Sequence, residues 1–277
     1  MALSSARIPT VVEAIAYPDR VEKLTALIDA LKGEEIPYVV IGGMSNVLFK
    51  DNIYRGVVVK TTKIRSKIKA ESRIVLSCGD RIARVAFELA ECDLGGFEGL
   101  VGIPGTVGGM VRQNAGAFGY EISDRFVEAS CYIPATRAVR KYTRSEMRFS
   151  YRDSAINADG AILLSATFDA AYKEQADILS EIETYRSRRL ATQPTDLPSL
   201  GSIFKRHDGV SAGFYIDKAG LKGYSIGGAR ISEKHAGFIV NVGGASAEDY
   251  LKLIDYVKER VYSVFGIVLR EEIEIVR

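Results

Sequence analysis

The chain has 277 residues, 47% apolar and 26% charged, and its 37 Lys and Arg against 35 Asp and Glu leave a net charge of +2. That is the composition of an ordinary globular protein long enough for two compact units, and its charge is too balanced for a general nucleic-acid or membrane surface. The longest apolar runs, such as Tyr38-Val39-Val40-Ile41, are far too short to span a bilayer, and Met1–Arg7 lacks the apolar core of a secretory signal.

From Asp19 to Lys32, Val21, Leu24, Leu27, Ile28 and Leu31 recur at helical spacing with charges between them, which predicts an amphipathic helix. Pro37 breaks that pattern, and Tyr38–Ile41 reads as a buried strand running into Gly42-Gly43-Met44-Ser45-Asn46. Gly56–Lys60 follows as a second strand after the loop Lys50–Arg55, and Ile64–Cys78 alternates as short strands do. Arg81–Glu91 returns to helix, with Ile82, Val85, Ala86 and Leu89 inward. Beyond a glycine-rich run at Gly99–Gly119 come strand-like stretches at Phe126–Ile133, Ala138–Tyr142 and Ala161–Asp169. A charged helix, Lys173–Leu190, ends in Arg186, Arg188 and Arg189, and the two prolines of Gln193–Ser199 mark a boundary. The remainder holds a glycine-rich middle, a helix at Ala247–Phe265 with Tyr250, Ile254, Val257 and Val261 on one side, and a final strand near Ile267–Val276. Helices and strands alternating in two blocks give an α+β or α/β architecture. Cys78, Cys92 and Cys131, odd in number and without a Cys-x-x-Cys, are expected to be buried thiols in a reducing cytoplasm.

The most informative stretch is GLVGIPGTVGGMVRQNAGAFG, Gly99 to Gly119. Glycine at this density weakens any regular element, so the segment needs backbone freedom or bare backbone. Ile103-Pro104-Gly105-Thr106 has turn chemistry, and successive N–H groups with no side chains between them form a nest for anionic oxygens. Two readings stand, a wrap for a phosphate-bearing cofactor and a plain connector between strands. Neither G-x-G-x-x-G nor G-x-x-x-x-G-K-[ST] occurs, so the Rossmann and Walker architectures are excluded.

Other candidate chemistry lies further along. Ser202, between Gly201 and Ile203-Phe204-Lys205-Arg206, is either a loop or capping serine or a proton donor, and it does not sit in G-x-S-x-G. Arg152, in Tyr151-Arg152-Asp153-Ser154, is a fixed planar cation suited to carboxylates and phosphates, or one half of a surface ion pair with Asp153. Glu271 and Glu272 are strand neighbours and so point to opposite faces, which turns one of them toward a cleft if the strand borders one. His207 and His235 have no His or Glu at ligand spacing, so no metal site is expected.

In order and spacing these segments resemble the UDP-N-acetylenolpyruvoylglucosamine reductase family, flavoenzymes of peptidoglycan precursor synthesis. The resemblance runs from about Val12 to the end, through Gly42–Asn46, Gly102–Gly109, Asn114–Gly119, Tyr151–Ser154, Gln193-Pro194, Gly201–Lys205, Ala219–Gly223 and Ser232–Phe238. It implies an FAD-binding fold of the vanillyl-alcohol-oxidase type in two subdomains, about 1–62 and 63–190. A C-terminal α/β substrate domain at 191–277 would follow, its final strand returning to the active site. It also implies noncovalent FAD, NADPH as hydride donor and UDP-N-acetylglucosamine enolpyruvate as substrate. Charge balance, short apolar runs and unpaired cysteines lead to the expectation of a cytoplasmic protein with neither nucleic acid nor membrane as partner; the oligomeric state is open, with a monomer favoured.

By position, Arg152, Ser202 and Glu272 correspond to the family's catalytic residues. The FAD would lie against Gly42, Gly43, Met44, Ser45, Asn46, Ile103, Pro104, Gly105, Thr106, Gly108, Gly109, Asn114, Ala115 and Gly116. Tyr151, Lys205 and Arg206 would meet the substrate diphosphate. The chain departs from the family pattern in three places: Met44 stands for a third glycine, Val11-Val12-Glu13-Ala14 for the usual Gly-Gly-Pro-Ala, and Arg206-His207 for Asn-Pro or Arg-Pro. Only 50 positions (202 − 152) separate Arg152 from Ser202, as in the subgroup without an extra tyrosine-bearing loop. An FAD or nucleotide-sugar binding paralogue without this turnover, and an FAD oxidase on the same scaffold, are the competing readings.

Overall fold

The structure is a computed structural model and describes residues 4–69 and 71–277. The chain forms two compact units: a larger one of Ala14–Gly43 and Gly56–Arg188, and a smaller one of Met44–Arg55 and Arg189–Arg277 with the residues up to Glu13.

In the larger unit the predicted helix runs from Val21 to Gly33 and buries Leu24, Ile28 and Leu31. Tyr38–Ile41 pairs in parallel with Val57–Lys60, so the first glycine loop leaves the end of a parallel strand. Four antiparallel strands follow in the order Ala138–Thr143, Phe126–Ile133, Ile162–Asp169 and Arg73–Ser77. Helix Ile82–Ala90 buries Ile82, Val85, Ala86 and Leu89, the face that its spacing predicts. These elements share one apolar core, in which Phe97, Phe126 and Phe168 pack edge to face.

Among the described residues of Ile64–Cys78, strand is confined to Arg73–Ser77. The carboxylate of Asp80, 0% exposed, explains the difference: it accepts from the Ser66 N–H and hydroxyl and from the Ser77 N–H, and it pairs with Arg84 at 2.6 Å. The Ser66 donor is thereby drawn to a side chain instead of a strand ladder. Cys78 and Cys131 are buried, and burial pushes both thiols up to about 12; Cys92 is exposed, which corrects the expectation for that residue.

The smaller unit carries an antiparallel sheet in the order Ser199–Ser202, Phe238–Asn241, Ala229–Ile231 and Ser225–Ile226. Helix Ala247–Phe265 starts at a capping box of Ser246 and Asp249 and ends at Gly266, whose φ of +69° a glycine accepts without strain. Tyr250, Ile254, Val257 and Val261 are buried on its inner side. The final strand is shorter than predicted: Glu274–Val276 pairs in parallel with Val47–Phe49, and the segment before it makes a single antiparallel bridge, Glu271 to Phe204.

His235 gives this unit a pH dependence. Its Nδ1 accepts from the Gly237 N–H at 3.1 Å, and burial, with Lys222 nearby, holds the imidazole pKa below its ordinary 6.5. The unfolded chain therefore binds the proton more tightly, so the stabilisation is complete above 6.5 and is lost as pH falls through the lower folded value. Urea midpoints should drop between pH 7.5 and 5.5 in the wild type, and less steeply in His235→Gln; equal slopes would remove His235 as the cause.

Candidate functional site

The larger unit brings the two glycine loops against each other. A Cβ at Gly43 would stand 3.1 Å from the Gly105 Cα, and one at Gly42 would run into the Thr106 hydroxyl. Gly105 has a φ of +138° and Gly102 one of +91°, conformations open to glycine but not to a β-branched residue. Thr106 is 1% exposed, and its hydroxyl has no hydrogen-bond partner among the described residues. A buried hydroxyl needs a partner, and beside two bare backbones a phosphate oxygen is a fitting one. The residues present at Gly42, Gly43, Gly105 and Thr106 therefore fit FAD.

The same unit holds Asn114–Gly116 and Tyr151-Arg152. Ser150 and Asp153 exchange both backbone hydrogen bonds at 3.2 Å, which leaves Tyr151 and Arg152 at the tip of a two-residue turn. Arg152 has a φ of +55°, a left-handed conformation that costs an arginine about 1 to 2 kcal/mol. Its guanidinium donates to the carbonyls of Asn114 at 3.4 Å and Gly116 at 2.9 Å and lies 5.0 Å from the Tyr151 ring centre. Asp153 accepts instead from the Ser154 N–H and the Asn157 amide. Of the arginines ending the long helix, Arg186 pairs with Glu183 at the surface and Arg188 stacks over Phe118.

The smaller unit gathers Ser202, Glu272 and Asn46. Between Ser199 and Ser202 the strand gains one residue on its partner Phe238–Val240, a bulge formed at Gly201 with a φ of +81°. A bulge re-aims the side chain beside it, which gives the Gly-Ser pair its physical meaning. The Glu272 N–H donates to the Ile203 carbonyl at 2.7 Å and the Lys205 N–H to that of Arg270 at 2.8 Å, so the terminal segment lies beside Ser202–Lys205. Asn46 Nδ2 donates to the Glu272 carbonyl at 3.1 Å, and the Asn46 carbonyl accepts from Glu274. Glu271 turns away and pairs with Lys258 at 2.7 Å. Met44 is 3% exposed with a φ of +53°, the conformation that a third glycine would take more cheaply. Lys205 is half-buried, and Arg206 and Tyr151 are exposed.

Sequence reasoning passed over Glu121, Ser123 and Ser150, all of which bond the Asn114 side chain. The usable signal was Phe118-Gly119, both at positive φ, which makes a hairpin between Gly116–Ala117 and Tyr120–Glu121. No group of three His, Cys, Asp or Glu that could hold a metal occurs among the described residues, and no helix there is long and apolar enough to cross a membrane.

A profile described as an FAD binding domain matches residues 12–139, and one described as the C-terminal domain of UDP-N-acetylenolpyruvoylglucosamine reductase matches 193–276. A solvent-stable cholesterol oxidase aligns with a TM-score of 0.50 at 16% identity, covering 61% of this chain and 36% of that one, a likeness of fold alone. With the glycine cradle, these matches define an FAD-dependent oxidoreductase with the FAD-binding fold of the vanillyl-alcohol-oxidase type. The reductase of Caldicellulosiruptor saccharolyticus is 43% identical over 95% of this chain and 85% of its own. The crystal structure of the Thermus caldophilus reductase aligns with a TM-score of 0.83 at 29% identity, covering 99% of this chain and 96% of that one. The chain belongs to the UDP-N-acetylenolpyruvoylglucosamine reductase family.

Proposed function

We propose that this protein reduces UDP-N-acetylglucosamine enolpyruvate to UDP-N-acetylmuramate in peptidoglycan synthesis, with NADPH as donor and noncovalent FAD as carrier. The observation that carries this reading is 43% identity with a reductase of that name over 95% of the chain, through the flavin-binding and C-terminal regions alike. Bound FAD supplies hydride transfer, by which the hydride of NADPH ends on the methylene carbon of the enolpyruvyl ether. Negative charge then develops over the α-carbon and its carboxylate, and preorganised donors stabilise it most. Arg152 suits that task because two backbone carbonyls fix its guanidinium in advance. Glu272 can donate a hydrogen bond to the same charge when it carries a proton, and Ser202 Oγ gives its proton to the α-carbon. The double bond thereby gains one hydride and one proton, and NADPH leaves as NADP⁺.

In this reading Gly42–Asn46, Ile103–Thr106, Gly108, Gly109 and Asn114–Gly116 line the FAD, while Tyr151, Lys205 and Arg206 meet the diphosphate of the substrate. Neither glycine loop contains a His or Cys to carry a covalent flavin. The functional division is an FAD-binding region at 1–190 and a substrate region at 191–277. The protein works in the cytoplasm, where NADPH and nucleotide sugars are dissolved.

The purified protein should be yellow, bleach with NADPH under anaerobic conditions, and recover its colour when the enolpyruvyl nucleotide is added. Acid should release all the flavin. Bleaching without substrate-dependent recovery would reduce the protein to a flavin-binding paralogue.

A further inference from the structure

Glu121 has no role in the reaction above, yet its carboxylate reaches the most constrained polar side chain around Arg152. Asn114 is 1% exposed and has a φ of +41°. Its Nδ2 donates to Glu121 Oε2 at 2.8 Å and to the Ser150 carbonyl at 3.1 Å, and its Oδ1 accepts from the Ser123 N–H at 3.3 Å. These partners admit one amide orientation. Rotated by half a turn, the amide would set oxygen against oxygen at Glu121 and Ser150, and nitrogen against nitrogen at Ser123. Glu121 is the charged member of the three and so the strongest selector.

Asn114 then grips Arg152 in two ways. Its side chain ties down Ser150, the first residue of the turn whose tip is Tyr151-Arg152, and its own carbonyl accepts from the guanidinium. The second acceptor, the Gly116 carbonyl, belongs to the residue opposite Glu121 in the hairpin. We infer that Glu121 is a positioning residue for Arg152: it fixes the Asn114 amide and thereby holds the turn and both carbonyls that aim the guanidinium. The inference rests on the reaction proposed above for the use made of that guanidinium, but not for its geometry.

Glu121 has a second local task, which the test must separate. Its side chain accepts from the Asp124 N–H, while Asp124 accepts from the Glu121 N–H at 2.8 Å, a capping box on Ile122–Arg125. Asp124→Ala breaks half of that box and leaves the bond from Asn114 to Glu121 intact. Asn114, Glu121, Ser150 and Tyr151 also line an open cleft of about 810 Å³. Water can therefore replace the lost bond in Glu121→Ala, but it cannot select the amide orientation.

The flavin-loaded wild type, Glu121→Ala, Glu121→Gln and Asp124→Ala should be compared by two readouts. With isotope-labelled arginine, the Arg152 Nε–H resonance, assigned by its loss in Arg152→Lys, should be sharp and slow to exchange in the wild type and Asp124→Ala. It should shift and broaden in Glu121→Ala and largely return in Glu121→Gln, which keeps an acceptor. In turnover, Glu121→Ala should lower kcat at least about tenfold with bleaching by NADPH little affected, and Asp124→Ala should stay within about threefold of wild type. An unaltered Arg152 resonance in Glu121→Ala, or equal losses in Asp124→Ala and Glu121→Ala, overturns the inference; should Glu121→Ala not fold, the same comparison is decided by Glu121→Leu. A wild type without turnover whose Arg152 resonance still depends on Glu121 overturns the proposed reaction and leaves the positioning role standing.

Discussion

Gly105→Val should fold and yet elute colourless from gel filtration, with flavin affinity reduced beyond what reconstitution can restore. Two effects act together at this position. The φ of +138° lies where a β-branched residue does not go, so the turn after Pro104 must change shape. The Gly43 backbone is also so near that even a Cβ on that residue would stand 3.1 Å from the Gly105 Cα. The neighbouring Thr106 has a buried hydroxyl without a hydrogen-bond partner among the described residues, so a turn that changes shape here also alters the proposed phosphate site. A left-handed conformation alone costs about 1 to 2 kcal/mol, roughly a tenfold loss, and the altered turn beside the proposed phosphate site adds to it. Gly33→Ala, at a helix end with open space around it, serves as the control and should remain yellow. Visible absorbance per protein, before and after incubation with FAD, decides the matter: a Gly105→Val protein as yellow as wild type would remove this loop from the flavin site.

Elements with a clean period were readable in the sequence. Tyr38–Ile41 and Ala247–Phe265 have the bounds that the pattern gives them, although only Ile41 of the strand is buried, because its other side chains are left half-covered. Strand Val47–Phe49 is too short to show a period, and its partner is Glu274–Val276, more than two hundred residues away. Ile267–Ile273 looks like strand because it opens on Ile267-Val268-Leu269 and closes on Ile273, but its pairing there is limited to the bridge from Glu271 to Phe204 and a few backbone bonds.

The site was legible where glycine marks the need for special backbone, at Gly42-Gly43, Gly105 and Gly201. The same strain at other residues was not legible: Met44, Asn114 and Arg152 were named as candidates, but the residue types Met and Arg do not announce the positive φ that each takes. Cys92 escaped for a related reason, since residue type predicts burial only on average.

Ser202→Ala should separate the two halves of the reaction. A serine hydroxyl is a weak acid and gives up its proton only to a strong base, in the proposed reaction the carbanionic α-carbon left after hydride addition. Nothing in the uptake of hydride from NADPH calls for that proton. The variant should therefore bind FAD and bleach with NADPH at nearly the wild-type rate. Recovery of colour with the enolpyruvyl nucleotide should slow by at least about a hundredfold, the scale of a lost general acid. The substitution leaves the backbone at this point undisturbed, because the bulge is set by Gly201 at a φ of +81° and by pairing to Phe238, neither of which involves the hydroxyl. Glu272 supplies the companion test from the neighbouring segment, whose N–H is bonded to the Ile203 carbonyl. Glu272→Gln keeps a donor and should lose less than Glu272→Ala, again in recovery and not in bleaching. Stopped-flow absorbance of each half-reaction makes the measurement. If Ser202→Ala slows bleaching and spares recovery, the proton to the α-carbon comes from another group and Ser202 belongs to the handling of NADPH.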